Sequence, residues 1–206
     1  MKAQISLKQK VKMHNHEDAG IAAKILDGNI ELYADLMSKY QKTVFSIVAK
    51  RVPANDVSTM VHETFVQAYQ SLASYSGKVP FGNWTARIAI RTCYAYWRRE
   101  YRHKKRQVSL PSGKEQQQWL EQISSLNSHD EADHIVKQQD AVKLSSWLLD
   151  QLSPENRTLI ESIYFDDMPL KEIAAVLDWS LVKTKVRALR ARRKMRKLLE
   201  SIGESI

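Results

Sequence analysis

Pro169-Leu-Lys-Glu-Ile-Ala-Ala-Val-Leu177, Asp178-Trp179-Ser180 and Leu181-Val-Lys-Thr-Lys-Val-Arg-Ala-Leu-Arg-Ala-Arg-Arg-Lys-Met-Arg-Lys197 spell a short helix, a tight turn and a longer basic helix. Pro169 suits the opening of the first helix, and Ser180 can cap the second by accepting a hydrogen bond from its free backbone N–H groups. Between Lys183 and Lys197 there are nine Lys or Arg and no acid. A basic run without interspersed acids gains little from ion pairs within the helix, so its charge points to an external polyanion.

This helix-turn-helix order puts the second helix in the major groove of duplex DNA. Two apolar stripes compete for its buried side. Val182, Val186 and Leu189 form one, which runs into Arg193 and Arg196; Thr184, Ala188, Ala191, Met195, Leu198 and Ile202 form the other, unbroken to the end. The unbroken stripe is taken as packed, its small residues allowing close approach. Lys185, Val186, Leu189, Arg190 and Arg193 then face outward, with Val186 and Leu189 suited to thymine methyls and the cations to base edges or phosphates.

Upstream, Ser153-Pro154 reads as an N-cap and first helical residue, preceded by a helix over Lys137 to Leu152. Toward the N-terminus, Ile30, Tyr33, Met37, Tyr40, Val44, Ile47 and Val48 mark one side of a long helix that Pro53 ends. A second stripe follows in Val57, Met60, Val61, Thr64, Phe65, Ala68 and Leu72. Residues 75–83 break the pattern as a loop, and Asn83 is placed to cap a third long helix to about His103. The expected fold class is all-α, with two helical domains joined by a polar linker: an N-terminal helical bundle and a C-terminal helix-turn-helix domain. Residues 1–18 read as a mobile basic arm, 19–106 as the bundle, 107–136 as the linker with a short helix near Trp119, and 137–206 as the second domain.

The whole chain, 206 residues with a net charge of +9, divides its charge unevenly. Residues 1–110 carry +10, 111–140 carry −4 and 141–206 carry +3. Within the third helix, Arg87, Arg91, Tyr94, Arg98 and Arg102 share one face, continued by Lys104, Lys105 and Arg106, with Trp84, Tyr96, Trp97 and Tyr101 interleaved. Cations for phosphates beside rings for exposed bases suit an unpaired strand, although some of these rings belong to the core.

Other chemistries find little support. His14 and His16 lie in the arm and His129 and His134 in the acidic linker, without the spacing of a helical metal site. The single cysteine, Cys93, excludes an internal disulfide and reads as a small core residue; no glycine-rich phosphate loop occurs. No stretch approaches the ~20 apolar residues of a membrane span, and no signal-peptide core is seen, so a cytoplasmic protein is expected.

Specific segments resemble those of bacterial RNA polymerase sigma factors, most closely the compact extracytoplasmic-function (ECF) group. Asp56-Val-Ser-Thr-Met-Val-His-Glu-Thr-Phe-Val-Gln-Ala-Tyr69 is similar to the family's D-x-x-D/Q-x-x-Q-E-x-F-x-x-A-Y segment. Phe81-Gly-Asn-Trp-Thr-Ala-Arg-Ile-Ala89 resembles F-x-x-W-L-x-R-I-A, and Tyr96-Trp-Arg-Arg99 stands where the family has Y/H-L-R-R. Leu152-Ser-Pro-Glu-Asn-Arg157 is similar to L-P-x-x-x-R, while Lys171-Glu-Ile-Ala174 and Lys185-Val-Arg-Ala-Leu-Arg-Ala-Arg192 match the family's helix-turn-helix without a gap. His62, Asp178, Arg91 and Ala95 depart from the usual Gln, Gly, Asn and Asp.

The resemblance implies that the 56–69 helix binds the coiled coil of the polymerase's largest subunit, with Asp56, Met60, Glu63, Phe65 and Gln67 as contacts. It implies that Lys78, Phe81, Asn83, Trp84, Arg87, Arg91, Tyr94 and Arg98 hold the melted non-template strand of the −10 element. Ser180, Lys183, Lys185, Val186, Arg187, Leu189, Arg190 and Arg193 would serve the −35 element, with Ser180, Lys183 and Arg187 on phosphates. Partners are then core RNA polymerase, promoter DNA and an anti-sigma factor, with no catalytic residue, cofactor, metal or small-molecule substrate. A dimeric stand-alone helix-turn-helix regulator and an RNA-binding helical protein remain open alternatives.

Overall fold

The computed structural model of the chain describes residues 17–107 and 133–203. Helices with short 3-10 turns make up its regular structure, with no strand among the described residues. In order they are α1 (residues 17–26), α2 (Leu32–Ala49), α3 (Val57–Gln70), α4 (Phe81–Gln107), α5 (Asp133–Asp150), α6 (Pro154–Tyr164), α7 (Leu170–Leu177) and α8 (Leu181–Gly203). The chain divides into two compact units, residues 1–96 and 97–206.

In the first unit α2 and α3 pack together, burying Tyr33, Leu36, Val44 and Val48 from one and Val57, Met60, Thr64, Phe65 and Ala68 from the other. The Tyr33 hydroxyl donates to the Phe65 carbonyl at 2.6 Å, and burial pushes the phenol up to about 12. Buried Thr64, Thr85 and Thr92 donate back to carbonyls one turn earlier, so these small polar side chains enter the core with their hydroxyls satisfied. The α2 stripe differs in detail from the expected one. Ile30 lies exposed before the helix, and Leu36, absent from the expected set, is buried. One-face spacing tolerates a neighbour's substitution, because residues 36 and 37 lie a fraction of a turn apart.

Three features differ from the sequence expectation. The expected arm runs to residue 18, whereas residues 17–26 are helical and Asp18 is only 1% exposed. Its carboxylate accepts from Lys39 Nζ at 2.5 Å and from the Tyr40 hydroxyl, and two such partners outweigh the cost of burying the charge. Asn83 does not cap α4. The Pro80 carbonyl accepts from Trp84 N–H at 3.0 Å, so the helix starts at Phe81 and Asn83 sits exposed in its first turn. Burial of the Phe81 ring against Tyr40, Tyr75 and Trp84 draws the extra residues into the helix. Finally, α5 begins at Asp133 rather than Lys137, inside the expected linker. The rest of that linker, including the short helix near Trp119, lies outside the described residues.

In the second unit Leu149, Leu152, Ile160 and Ala191 form a core that Met195 extends. Ser153 caps α6 as expected, its hydroxyl accepting from Asn156 N–H at 3.4 Å, with Pro154 at the first helical position. Buried Arg157 is held on both sides, by Glu161 at 2.8 Å and Asp150 at 2.5 Å. The chain leaves α7 through Asp178 in the left-handed region, φ 56° and ψ 49°. That conformation explains why a glycine is usual at this position, and why a short polar Asp is an acceptable substitute.

Candidate nucleic-acid interface

The turn and α8 carry the most complete surface. Ser180 Oγ accepts from Lys183 N–H at 3.2 Å, and the Ser180 carbonyl accepts from both the Thr184 N–H and its hydroxyl at 3.0 Å. These bonds fix the helix start, leaving three residues between it and the end of α7. Thr184, Ala188 and Ala191 are buried, and Met195 and Leu198 half-buried, so the unbroken stripe is the packed side. Lys185, Val186, Leu189, Arg190 and Arg193 are exposed, together with Ser180 and Lys183.

Arg187 differs from its neighbours. It is half-buried, its guanidinium 3.4 Å from Asn156 Oδ1, 3.9 Å from Glu155 Oε2 and over the Trp179 ring at 4.8 Å. Lys183 Nζ lies over the same ring, also at 4.8 Å. Trp179, absent from the expected site, therefore gathers two cations at the start of α8. An aromatic residue two positions from a basic helix was the available signal. Val182, exposed by 72%, also belongs to the outward face and was not in the expected set.

On α4 the basic face is present but uneven. Arg91, Arg98 and Arg102 are exposed, while Arg87 and Tyr94 are half-buried. Of the interleaved rings, Tyr96 is buried, Trp84 and Trp97 are half-buried and Tyr101 is exposed. Lys78 is exposed in the preceding loop and Asn83 in the first turn of the helix. Phe81 is 1% exposed and packs at 5.2–5.3 Å from the rings of Tyr40, Tyr75 and Trp84. It therefore supports this corner from within and offers no face to a base. Half-buried Tyr75, whose hydroxyl donates to the Val79 carbonyl at 3.0 Å, lies 5.2 Å from the Trp84 ring.

The expected set on α3 divides in the same way. Met60 and Phe65 are buried, which removes them from any docking surface. Asp56 accepts from the Tyr96 hydroxyl at 2.9 Å, tying the start of α3 to α4. Half-buried Glu63 and exposed Gln67 stay on the outer face, joined by a 3.0 Å bond from Gln67 Nε2 to Glu63 Oε1. Thr59, His62 and Gln70 are exposed on this helix too. The complement of the buried stripe would have found Thr59 and Gln70; motif matching favoured the apolar positions that hold the helix in place.

Comparison with known proteins agrees with this architecture. The family model described as Sigma-70 region 2 matches residues 36–103, and that described as Sigma-70, region 4 matches residues 148–195, together more than half of the chain. The chain is 26% identical over 175 residues to the ECF RNA polymerase sigma-E factors of Salmonella typhimurium and Escherichia coli, covering 85% of this chain and 90% of each relative. The corresponding protein of Haemophilus influenzae is 23% identical over the same length. Among solved structures, CnrH, determined in complex with the cytosolic domain of CnrY, shares the fold with a TM-score of 0.53 and 22% identity, over 89% of this chain and 97% of that one. Both matched regions fall on the helices whose exposed faces carry the cations and the α3 motif, and the chain belongs to the sigma-70 family of RNA polymerase sigma factors, in its ECF group, whose work is to direct promoter-specific transcription.

Proposed function

We propose the following division of labour within this sigma factor. The outer face of α3, with Glu63 and Gln67 at its centre, docks on core RNA polymerase. The loop of residues 75–80 and the exposed cations of α4, chiefly Arg91 and Arg98, hold the unpaired strand of the −10 element, with Trp84 and Tyr75 supplying ring surface. Flipping a base from the stack costs a few kcal/mol, which contacts there offset. Helix α8 lies in the major groove of the −35 element, and Ser180 and Lys183 hold phosphates near its start. Two weak readers tethered to one polymerase gain affinity through effective concentration.

The observation that carries this reading is the sidedness of α8: Thr184, Ala188 and Ala191 closed inward, and Lys185, Arg190 and Arg193 open outward. The chain works as a polymerase subunit in the cytoplasm and catalyses no reaction itself. Among the described residues no helix is long and apolar enough to cross a membrane. An anti-sigma factor covering the same cationic surfaces is its regulatory partner.

Mobility shifts with a promoter fragment test the assignment. Arg190→Ala or Lys185→Ala is expected to weaken binding by about 1–3 kcal/mol on the correct −35 sequence if the contact is a base-edge pair. Equal losses on a scrambled −35 sequence reduce the contact to phosphate alone. Gln67→Lys on the exposed face of α3 is expected to lower affinity for core polymerase without changing the melting temperature.

A further inference from the structure

Around the outward side of α8 the chemistry falls into three strips. Exposed Lys185, Arg192 and Arg196 lie on one flank, and exposed Lys183, Arg190 and Lys197 on the other. Between them run Val182, Val186 and Leu189, exposed by 72%, 41% and 50%, with Arg193 continuing the line. Three aliphatic side chains standing in water at the middle of a strongly cationic face are left uncovered by any element of their own unit. The flanking cations indicate what covers them: a surface with phosphates along both edges and apolar groups along its floor. The major groove fits that description where thymine methyl groups project into it.

We infer that Val182, Val186 and Leu189 are specificity-determining residues that read thymine methyls, which makes the −35 element of this factor a site containing a thymine-bearing step. The inference rests on α8 entering the major groove and deepens that reading. Hydrogen bonding does not supply the discrimination along this strip, because it presents neither Asn nor Gln to adenine and its first polar member is Arg193. From Val182 to Leu189 the helix rises about 10 Å, the length of about three base steps. The guanidinium of Arg193 follows at the far end, where guanine is the matching base. Removing one buried methyl corresponds to about a four-fold loss of binding.

The test uses holoenzyme assembled from the full chain and core polymerase. A tight-binding duplex is first selected from a random library made with thymidine. It is then resynthesised with deoxyuridine replacing thymidine one position at a time, which deletes the methyl and leaves base pairing and hydrogen-bonding groups intact. Affinities are compared at one salt concentration. Loss of binding by about four-fold is expected at one to three positions within a short −35 segment, with an unchanged salt slope. Val186→Ala is expected to abolish the thymidine-over-deoxyuridine preference at one of those positions and leave the others as they were. A selected duplex in which no deoxyuridine substitution in that segment costs two-fold overturns the methyl reading while leaving groove binding standing. Failure of the library to yield any preferred duplex upstream of the melted segment overturns groove reading by α8 together with it.

Discussion

Changing Ala188 and Leu189 one at a time separates the two faces of α8 by a single residue step. Ala188 is 1% exposed, flanked on its side by Thr184 and Ala191, and Ala191 joins the core that holds Leu149, Leu152 and Ile160. Ala188→Leu forces a branched chain into space already filled, and overpacking of this kind costs about 1–3 kcal/mol. In a unit of about 100 residues each kcal/mol lowers the melting temperature by about 4–8 °C, so a fall of about 5–20 °C is expected. Leu189 is 50% exposed, and its replacement by Ala keeps stability within about 0.5 kcal/mol while lowering affinity for −35 duplex. Circular-dichroism melts and mobility shifts on the two variants give all four numbers. If Ala188→Leu melts with the parent and Leu189→Ala loses more than about 1 kcal/mol, the faces are reversed and the assignment of the DNA-reading residues falls with them.

Gly82→Ala is expected to destabilise the first unit by about 1–3 kcal/mol, because its Cβ would stand 2.7 Å from Tyr40 Cε1; urea midpoints check it, and an unchanged midpoint would mean Tyr40 gives way freely. At Asp178, in the left-handed region at φ 56°, Val is expected to cost about 1–2 kcal/mol, whereas Gly is tolerated; equal melting of the two variants would contradict the role given to this turn. Burial raises the phenols of Tyr33, to about 12, and of Tyr40, where the Asp18 carboxylate adds to the effect, and Tyr75 is raised by burial as well. Above the ordinary tyrosine value of about 10 the unfolded chain sheds protons that the folded one keeps, so stability of the first unit is intact below pH ~10 and lost progressively toward pH ~12; equal urea midpoints at pH 9 and 11 would refute this.

What was legible from residues alone was set by how directly each spacing maps onto a face. The α8 assignment succeeded because Thr184, Ala188 and Ala191 are small and unbroken in register, and close helix packing selects for both properties. The cap at Ser153 and the turn at residues 178–180 follow from local chemistry, since Ser-Pro and a short polar link need no tertiary context. Phe81, Met60 and Phe65 were assigned to interfaces because they sit inside recognisable motifs. A motif match carries no information on which way a side chain faces, and all three are buried in the core. Asp18 was missed because nothing local marks it. Its partners Lys39 and Tyr40 lie a helix away, and an acidic pair, Glu17-Asp18, beside a basic arm reads as solvated until those donors are in place. The same long-range dependence hides the Tyr96 hydroxyl on Asp56, whereas the cations gathered by Trp179 lie within eight residues of it and are marked locally.

Run-off transcription with core RNA polymerase on fragmented DNA of the source genome, with and without this chain, tests the central claim most directly. Discrete start sites that depend on the protein, sharing an upstream element to which binding is weakened in Arg190→Ala, are the expected result. Folded protein that neither binds core polymerase nor produces new transcripts would contradict it and favour a stand-alone helix-turn-helix regulator.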